Sequence, residues 1–261
     1  MIIVITGGSA GIGRATAEFL ADKGHKVYSL ARSKIESEKF SSIQCDITNF
    51  ENATAALGEI YQKEGKIDVL INNAGMGIAG AIEQTSFEDI EKIFSLNVFA
   101  LINMCKAIVP FMRNGGGGKI INIGSVAGVI PIPFQTCYSA TKAAVDMFTM
   151  AFGLEVRDFN IHLTTIMPGD TKTSFTASRV KNAVVEKSPY KGRIEKSIEK
   201  MEKDEQCGKS PLSVSKVIYK VIKKKRPPKS KTVGISYKAI VLLEKILPRK
   251  FMLWVVKKMY G

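Results

Sequence analysis

Residues 2–5 read Ile-Ile-Val-Ile, an unbroken β-branched run that fits a strand buried on both faces of a parallel sheet. Glycines follow at 7, 8, 11 and 13. Over 14–23, Ala17, Leu20 and Ala21 recur at helical spacing, and Gly24 supplies the stop. The alternation then repeats. Strands are predicted over 26–31, 68–71, 119–123 and 161–167. Helices are predicted from an Asn49 cap to residue 64, over 86–112 with an interruption near Asn97 or Pro110, and over 135–157. Strands and helices that alternate through short connections predict an α/β fold. It is a doubly wound, Rossmann-like parallel sheet with helices on both faces, in a single domain.

The rhythm fails beyond residue 170. The stretch 171–212 is polar, lysine-rich and long for a connection, as substrate lids are. A helix over 213–225, a Pro227-Pro228 break and a short strand over 232–235 follow. The segment 237–261 is apolar and basic together, and Pro248 divides it into two short helices. Packing over the cleft or against a second subunit is the first reading of its apolar stripe. The second is peripheral contact with an anionic membrane, with Trp254 at the interface and lysines near the headgroups.

Composition narrows the field. With 261 residues, 45% hydrophobic and 24% charged, the chain is an ordinary globular protein rather than a disordered or fibrous one. No apolar run reaches the roughly 18 residues that span a bilayer, and the first residues do not read as a secretory leader. Cys45, Cys105, Cys137 and Cys207 form no CxxC pair, and His25 and His162 are the only histidines. No metal site is expected, and reduced thiols predict a cytoplasmic protein. The net charge of +14 is uneven: residues 179–261 hold 23 Lys and Arg against 7 Asp and Glu. These basic residues are dispersed, without interleaved aromatics, so nucleic acid is not the expected partner.

Three features carry chemistry. Thr6-Gly7-Gly8-Ser9-Ala10-Gly11-Ile12-Gly13 follows a strand and opens a helix, where free amides and the helix dipole suit a pyrophosphate. Tyr138 and Lys142 stand four apart on one helix, hence on one face. An ammonium there would lower a phenol pKa from about 10 and make Tyr138 a usable acid or base. Ser125 stands at the carboxyl end of a strand, the edge where such sheets bind ligands.

In one chain and in this order stand the glycine loop, Asn72-Asn73-Ala74-Gly75, Asn97, Ser125, Tyr138-x-x-x-Lys142 and Pro168-Gly169. The combination resembles the short-chain dehydrogenase/reductase family over residues 1–170 and weakens into the lid and tail. The resemblance implies that Tyr138 is the acid/base and that Ser125 holds the substrate oxygen. Lys142 would bind the nicotinamide ribose, and Asn97 would hold a water in a relay to it. It implies a cofactor cradle of Gly7, Ser9, Gly11, Ile12 and Gly13. Asp46 and Ile47 would flank the adenine, and Asn73, Ala74 and Gly75 the adenosine ribose. Pro168, Gly169, Thr171 and Thr173 would stand at the nicotinamide side. Asp170 is more polar than the family's usual occupant of its place.

After the second strand an NAD-binder usually carries an acid for the ribose 2′-OH, whereas this chain has Ala31-Arg32-Ser33. Arg32 can fork onto a 2′-phosphate and Ser33 can add a hydroxyl, so the expected cofactor is NADP(H). Val129-Ile130-Pro131-Ile132-Pro133-Phe134 reads as an apolar wall for a lipophilic ketone or secondary alcohol, steroid-, retinoid- or acyl-lipid-like. Reduction of a 3-oxoacyl thioester on a carrier protein is the alternative reaction. A catalytically silent cofactor-binding scaffold is the alternative of another class, and the presence of Asn97, Ser125, Tyr138 and Lys142 argues against it. The family's habit implies a homodimer or homotetramer through the helices over 86–112 and 135–157.

Overall fold

A computed structural model describes residues 1–181 and 188–260. In chain order it holds β1 (Ile2–Thr6), α1 (Gly11–Asp22), β2 (Lys26–Ala31), β3 (Ser41–Gln44), α2 (Phe50–Glu64), β4 (Val69–Asn72) and β5 (Ile78–Ala79). Then come α3 (Phe87–Phe94), α4 (Ala100–Asn114), β6 (Gly118–Ile123), α5 (Thr136–Glu155) and β7 (Ile161–Met167). The last third holds α6 (Phe175–Ser178), β8 (Val180–Lys181), α7 (Arg193–Gln206), α8 (Pro211–Ile222), β9 (Ser230–Thr232), α9 (Ile235–Ile246) and α10 (Arg249–Tyr260).

Seven strands form one parallel sheet in the order β3-β2-β1-β4-β6-β7-β9. The chain winds outward one way from β1 and the other way from β4. The crevice where such sheets bind ligands therefore opens between the carboxyl ends of β1 and β4. Alternation along β1 shows why both faces are covered. Val4 joins Leu57, Leu70, Met104 and Ile120 under α2, α4 and α5. Ile3 and Ile5 join Leu20, Ile71, Val214 and Ile218 under α1 and α8. Asn49 caps α2 by accepting from the Asn52 amide at 2.9 Å.

Several boundaries differ from the sequence reading. The first helix starts at Gly11, so the glycine loop runs into its first turn. β3 was not anticipated, because Ser-Ser-Ile-Gln at a sheet edge carries no apolar alternation. The last strand lies over Ser230–Thr232 rather than 232–235. The stretch 171–212 is less irregular than expected: it carries α6, α7 and β8, which pairs with β5. Within it 182–187 lie outside the described residues, as does residue 261 of the tail.

The expected break in the long helix falls at Asn97. One turn of π-helix, Ser95–Phe99, joins α3 to α4, and Pro110 stays inside α4. The joined stretch Phe87–Asn114 has 28 residues and is long and apolar enough to cross a membrane, contrary to the sequence reading. Half of its most apolar window is buried in the protein, and α4 packs against α2 and the sheet, so it serves as a core helix.

Candidate active site

A cleft of about 1530 Å³ runs along the carboxyl ends of the strands. Gly7, Ser9, Gly11, Ile12, Arg32, Asp46 and Ile47 line one end. Asn73, Ala74 and Gly75 stand at its middle, and Ser125, Tyr138, Lys142, Pro168, Gly169, Thr171 and Thr173 line the other part. Three predicted residues do not line it. Gly13 is packed beneath the loop, where a side chain would overlap the Gly7 carbonyl and the Asn73 amide. Asn97 lies behind Gly75. Ser33 is exposed at the bend that follows β2 and is not among the residues that line the cleft.

The glycine loop is built for an anion. Gly7 and Gly11 have φ of 68° and 55°, the left-handed region that glycine tolerates. Ala10 gives α1 no side-chain cap, and its first turn has no acid, so the first amides and the positive dipole end are left to the cleft. The loop is tied to the middle of the cleft by side chains. Thr6 Oγ1 accepts from the Asn73 and Ala74 amides at 3.0 and 3.1 Å. Asn73 Nδ2 donates to the Thr6 and Gly7 carbonyls at 3.0 and 3.1 Å. These features fit a dinucleotide.

Asn97 is committed to the backbone. Its Oδ1 accepts from Met76 N at 2.8 Å, and its Nδ2 donates to Met76 O at 2.9 Å and to Thr141 Oγ1 at 3.2 Å. The π turn presents it there, so it fixes the loop after Gly75 instead of facing the cleft. A chain of amides below does similar work. Asn72 Nδ2 donates to Asn122 Oδ1 at 2.9 Å, and Asn122 Nδ2 donates to Thr149 Oγ1 at 2.8 Å. Both asparagines are buried and link β4 and β6 to α5, which carries Tyr138 and Lys142. Sequence reasoning missed Asn122 and Thr149. Polar residues inside otherwise apolar elements were the available signal.

Lys142 is buried, and its Nζ donates to the Ile123 carbonyl at 2.8 Å. Burial lowers its pKa to about 8. Its Nζ lies 5.7 Å from the centre of the Tyr138 ring. Burial pushes the Tyr138 phenol up to about 12, opposed by a hydrogen bond with Ser125. Burial is the leading influence on Tyr138, and Lys142, its Nζ turned to a backbone carbonyl, is not among the groups that act on the phenol. Ser125 Oγ also accepts from the Ala127 amide at 3.1 Å, which fixes its direction.

The wall beyond Tyr138 is apolar. Ile130 and Ile132 supply the predicted stretch, and Ile240, Leu243, Phe251 and Met252 reach in from α9 and α10. Val126, Ile130 and Met167 form a buried cluster with Val256 of α10, so the two tail helices roof this end of the cleft. Polar groups here were not foreseen. Tyr237 donates from its phenol to Asp170 Oδ2, which links α9 to the loop after Pro168-Gly169 and accounts for a polar residue at that place. Buried Arg179 pairs with Glu205 of α7.

The family model described as short chain dehydrogenase matches residues 1–183. The chain is 38% identical to a 3-ketodihydrosphingosine reductase of Bacteroides thetaiotaomicron, over 100% of this chain and 98% of that protein. It is 33% identical to carbonyl reductase family member 4 of Danio rerio, over 72% of this chain and 83% of that one. Among solved structures, a short-chain dehydrogenase from Streptomyces avermitilis superposes with TM-score 0.83 at 24% identity, covering 98% and 96% of the two chains. A short chain dehydrogenase from Burkholderia cenocepacia in complex with NADP gives 0.78 at 21%, also covering 98% and 96%. At such identities the superpositions establish the fold.

Proposed function

The chain belongs to the short-chain dehydrogenase/reductase family, and from that premise we propose that it is an NADP(H)-dependent reductase of a ketone on a long-chain, lipid-like molecule. The observation that carries this reading is the continuity of one cleft. It runs from the glycine cradle past Ser125, Tyr138 and Lys142 to an apolar wall roofed by α9 and α10. The relative named for 3-ketodihydrosphingosine supports a sphingoid-type ketone, an amino ketone on a long alkyl chain.

The nicotinamide supplies the hydride when bound. Tyr138 donates its phenol proton to the carbonyl oxygen, and its raised pKa keeps that proton in place at neutral pH. Ser125 donates to the same oxygen and steadies the developing alkoxide. Lys142, with a single protein acceptor, holds the nicotinamide ribose. Arg32 at the adenine end, preceded by Ala31 rather than an acid, favours the 2′-phosphate. Oxidation of NADPH and of NADH is measured with long-chain 3-ketones, steroid and retinoid ketones and 3-oxoacyl thioesters. Preference for NADPH with a long-chain ketone is expected, and activity confined to short polar ketones or to NADH defeats the proposal.

The reading extends to where the enzyme works. Leu242, Ile246 and Trp254 are 58%, 68% and 56% exposed on the outer side of the roof. Lys245, Arg249, Lys250, Lys257 and Lys258 flank them. That side would rest on an anionic membrane and pass a lipid ketone into the cleft. All four cysteines are free thiols, which supports a cytoplasmic setting. Exposed Met147 and Leu154 on α5 offer a face for a second copy in a homodimer or homotetramer, which light scattering would detect.

A further inference from the structure

The roof end of the cleft is lined by charged groups that the roles above leave unused: Asp170, Lys200, Asp204, Glu205 and Lys209. Asp170 lines the cleft next to the reaction centre, near enough for its charge to bear on Tyr138. Two other carboxylates on the same wall are matched by bases. Asp204 accepts from Lys200 at 2.6 and 2.7 Å, and Glu205 is paired with Arg179. Asp170 forms no ion pair among the described residues, and its side chain is held by the Tyr237 phenol alone. Burial disfavours its charge and the neighbouring Asp204 adds to that. Tyr237, Lys200 and Arg179 act the other way without putting a cation in contact.

A carboxylate carried into an apolar wall without a basic contact is costly, and a cation brought by a ligand offsets that cost. We propose that Asp170 is a specificity residue for a substrate with an ammonium group beside its reducible carbonyl, a long-chain 2-amino ketone. The proposal rests on the ketone-reductase reading of the same cleft. With the carbonyl oxygen at Ser125 and Tyr138, an amine one carbon away meets the adjoining wall, where Asp170 stands. The alkyl chain then follows Ile130, Ile240 and Met252 toward the roof. Asp170 moves no proton in this scheme; it selects and orients.

The test uses the full chain with NADPH bound. Equilibrium binding is measured for a long-chain 2-amino-3-alcohol and for the same alcohol with hydrogen in place of the amine. The amino compound is expected to bind at least about tenfold more tightly, in keeping with the coupling of a close, desolvated charge pair. Asp170→Asn, which keeps an acceptor for Tyr237, should bring the two compounds within about threefold. Tyr237→Phe, which keeps the carboxylate, should retain the preference and so separates charge recognition from support of the roof. Equal binding of the two alcohols by the unmodified protein overturns the proposal, as does a preference that survives Asp170→Asn. NADPH oxidation with the matching pair of ketones is run alongside. Reduction of neither would defeat the ketone-reductase reading, while the binding comparison still decides the role of Asp170.

Discussion

The groups that meet at the candidate reaction centre hang from the sheet and from α5 packed on it, whereas those that roof it hang from helices that touch the sheet only at its rim. Ser125 follows β6, Asn73 follows β4, and Lys142 reaches back to the last carbonyl of β6. Each is fixed by hydrogen bonds to a neighbouring strand or loop. The roof is held differently. α9 and α10 rest on a small apolar cluster and on the polar contact of Tyr237 with Asp170. Charge divides along the same line, with 23 basic and 7 acidic residues over 179–261 and a slightly acidic remainder. On the proposed function, the difference assigns the positioning of reacting atoms and the admission of substrate to separate parts, so each should be perturbed with little effect on the other.

The sharpest division should come from Tyr138→Phe. The ring and its packing survive, so cofactor binding by fluorescence should change little, while turnover should fall at least about a thousandfold, ~4 kcal/mol in the barrier. Retained turnover would move the acid elsewhere in the cleft. Next in size is Arg32→Ala, which touches neither the reacting atoms nor the roof. The ratio of kcat/KM for NADPH over NADH should drop by about ten- to a hundredfold, roughly 1.4–2.8 kcal/mol. An unchanged ratio would place the 2′-phosphate contact on another residue.

A pH profile probes the sheet-borne half alone. Lys142 is charged below about 8, and Tyr138 keeps its proton until about 12. Ketone reduction needs the ammonium and the protonated phenol together, so kcat/KM should be flat below pH 8. It should fall as pH rises through that value, by about tenfold per unit well above it. A decline on the acid side instead would show that Lys142 acts uncharged. The smallest effect belongs to the roof. Trp254→Ala with Lys257→Ser and Lys258→Ser should lower flotation with acidic liposomes severalfold and leave turnover of a water-soluble ketone within about twofold. Loss of both together would mean that the roof also shapes the reaction centre.

Much of the sheet-borne half was legible because strands and their glycine loops announce themselves locally. The run at 2–5, the Asn49 cap and the spacing of Tyr138 and Lys142 are readable within a few residues. The roof was not, since its contacts join residues far apart in sequence. Nothing near Asp170 points to Tyr237, and nothing near Arg179 points to Glu205. Even in the sheet-borne half two signals misled. β3 is polar because it lies at an edge, and the Tyr138 pKa is governed by burial, which spacing does not reveal.

The π turn at Ser95–Phe99 makes the count of residues in that helix a constraint in its own right. The wide turn takes up one residue more than an α turn, so α3 and α4 keep their faces on either side of it. Deleting one residue there would restore an ordinary α-helix and leave Met104, Cys105 and Ile108 buried against the sheet, while Asn97 would leave the Met76 backbone. An insertion that no such turn absorbed would instead rotate the helix beyond it by about 100° around the axis. Relatives compared residue by residue would fall out of step here unless the extra position is recognised as part of the site.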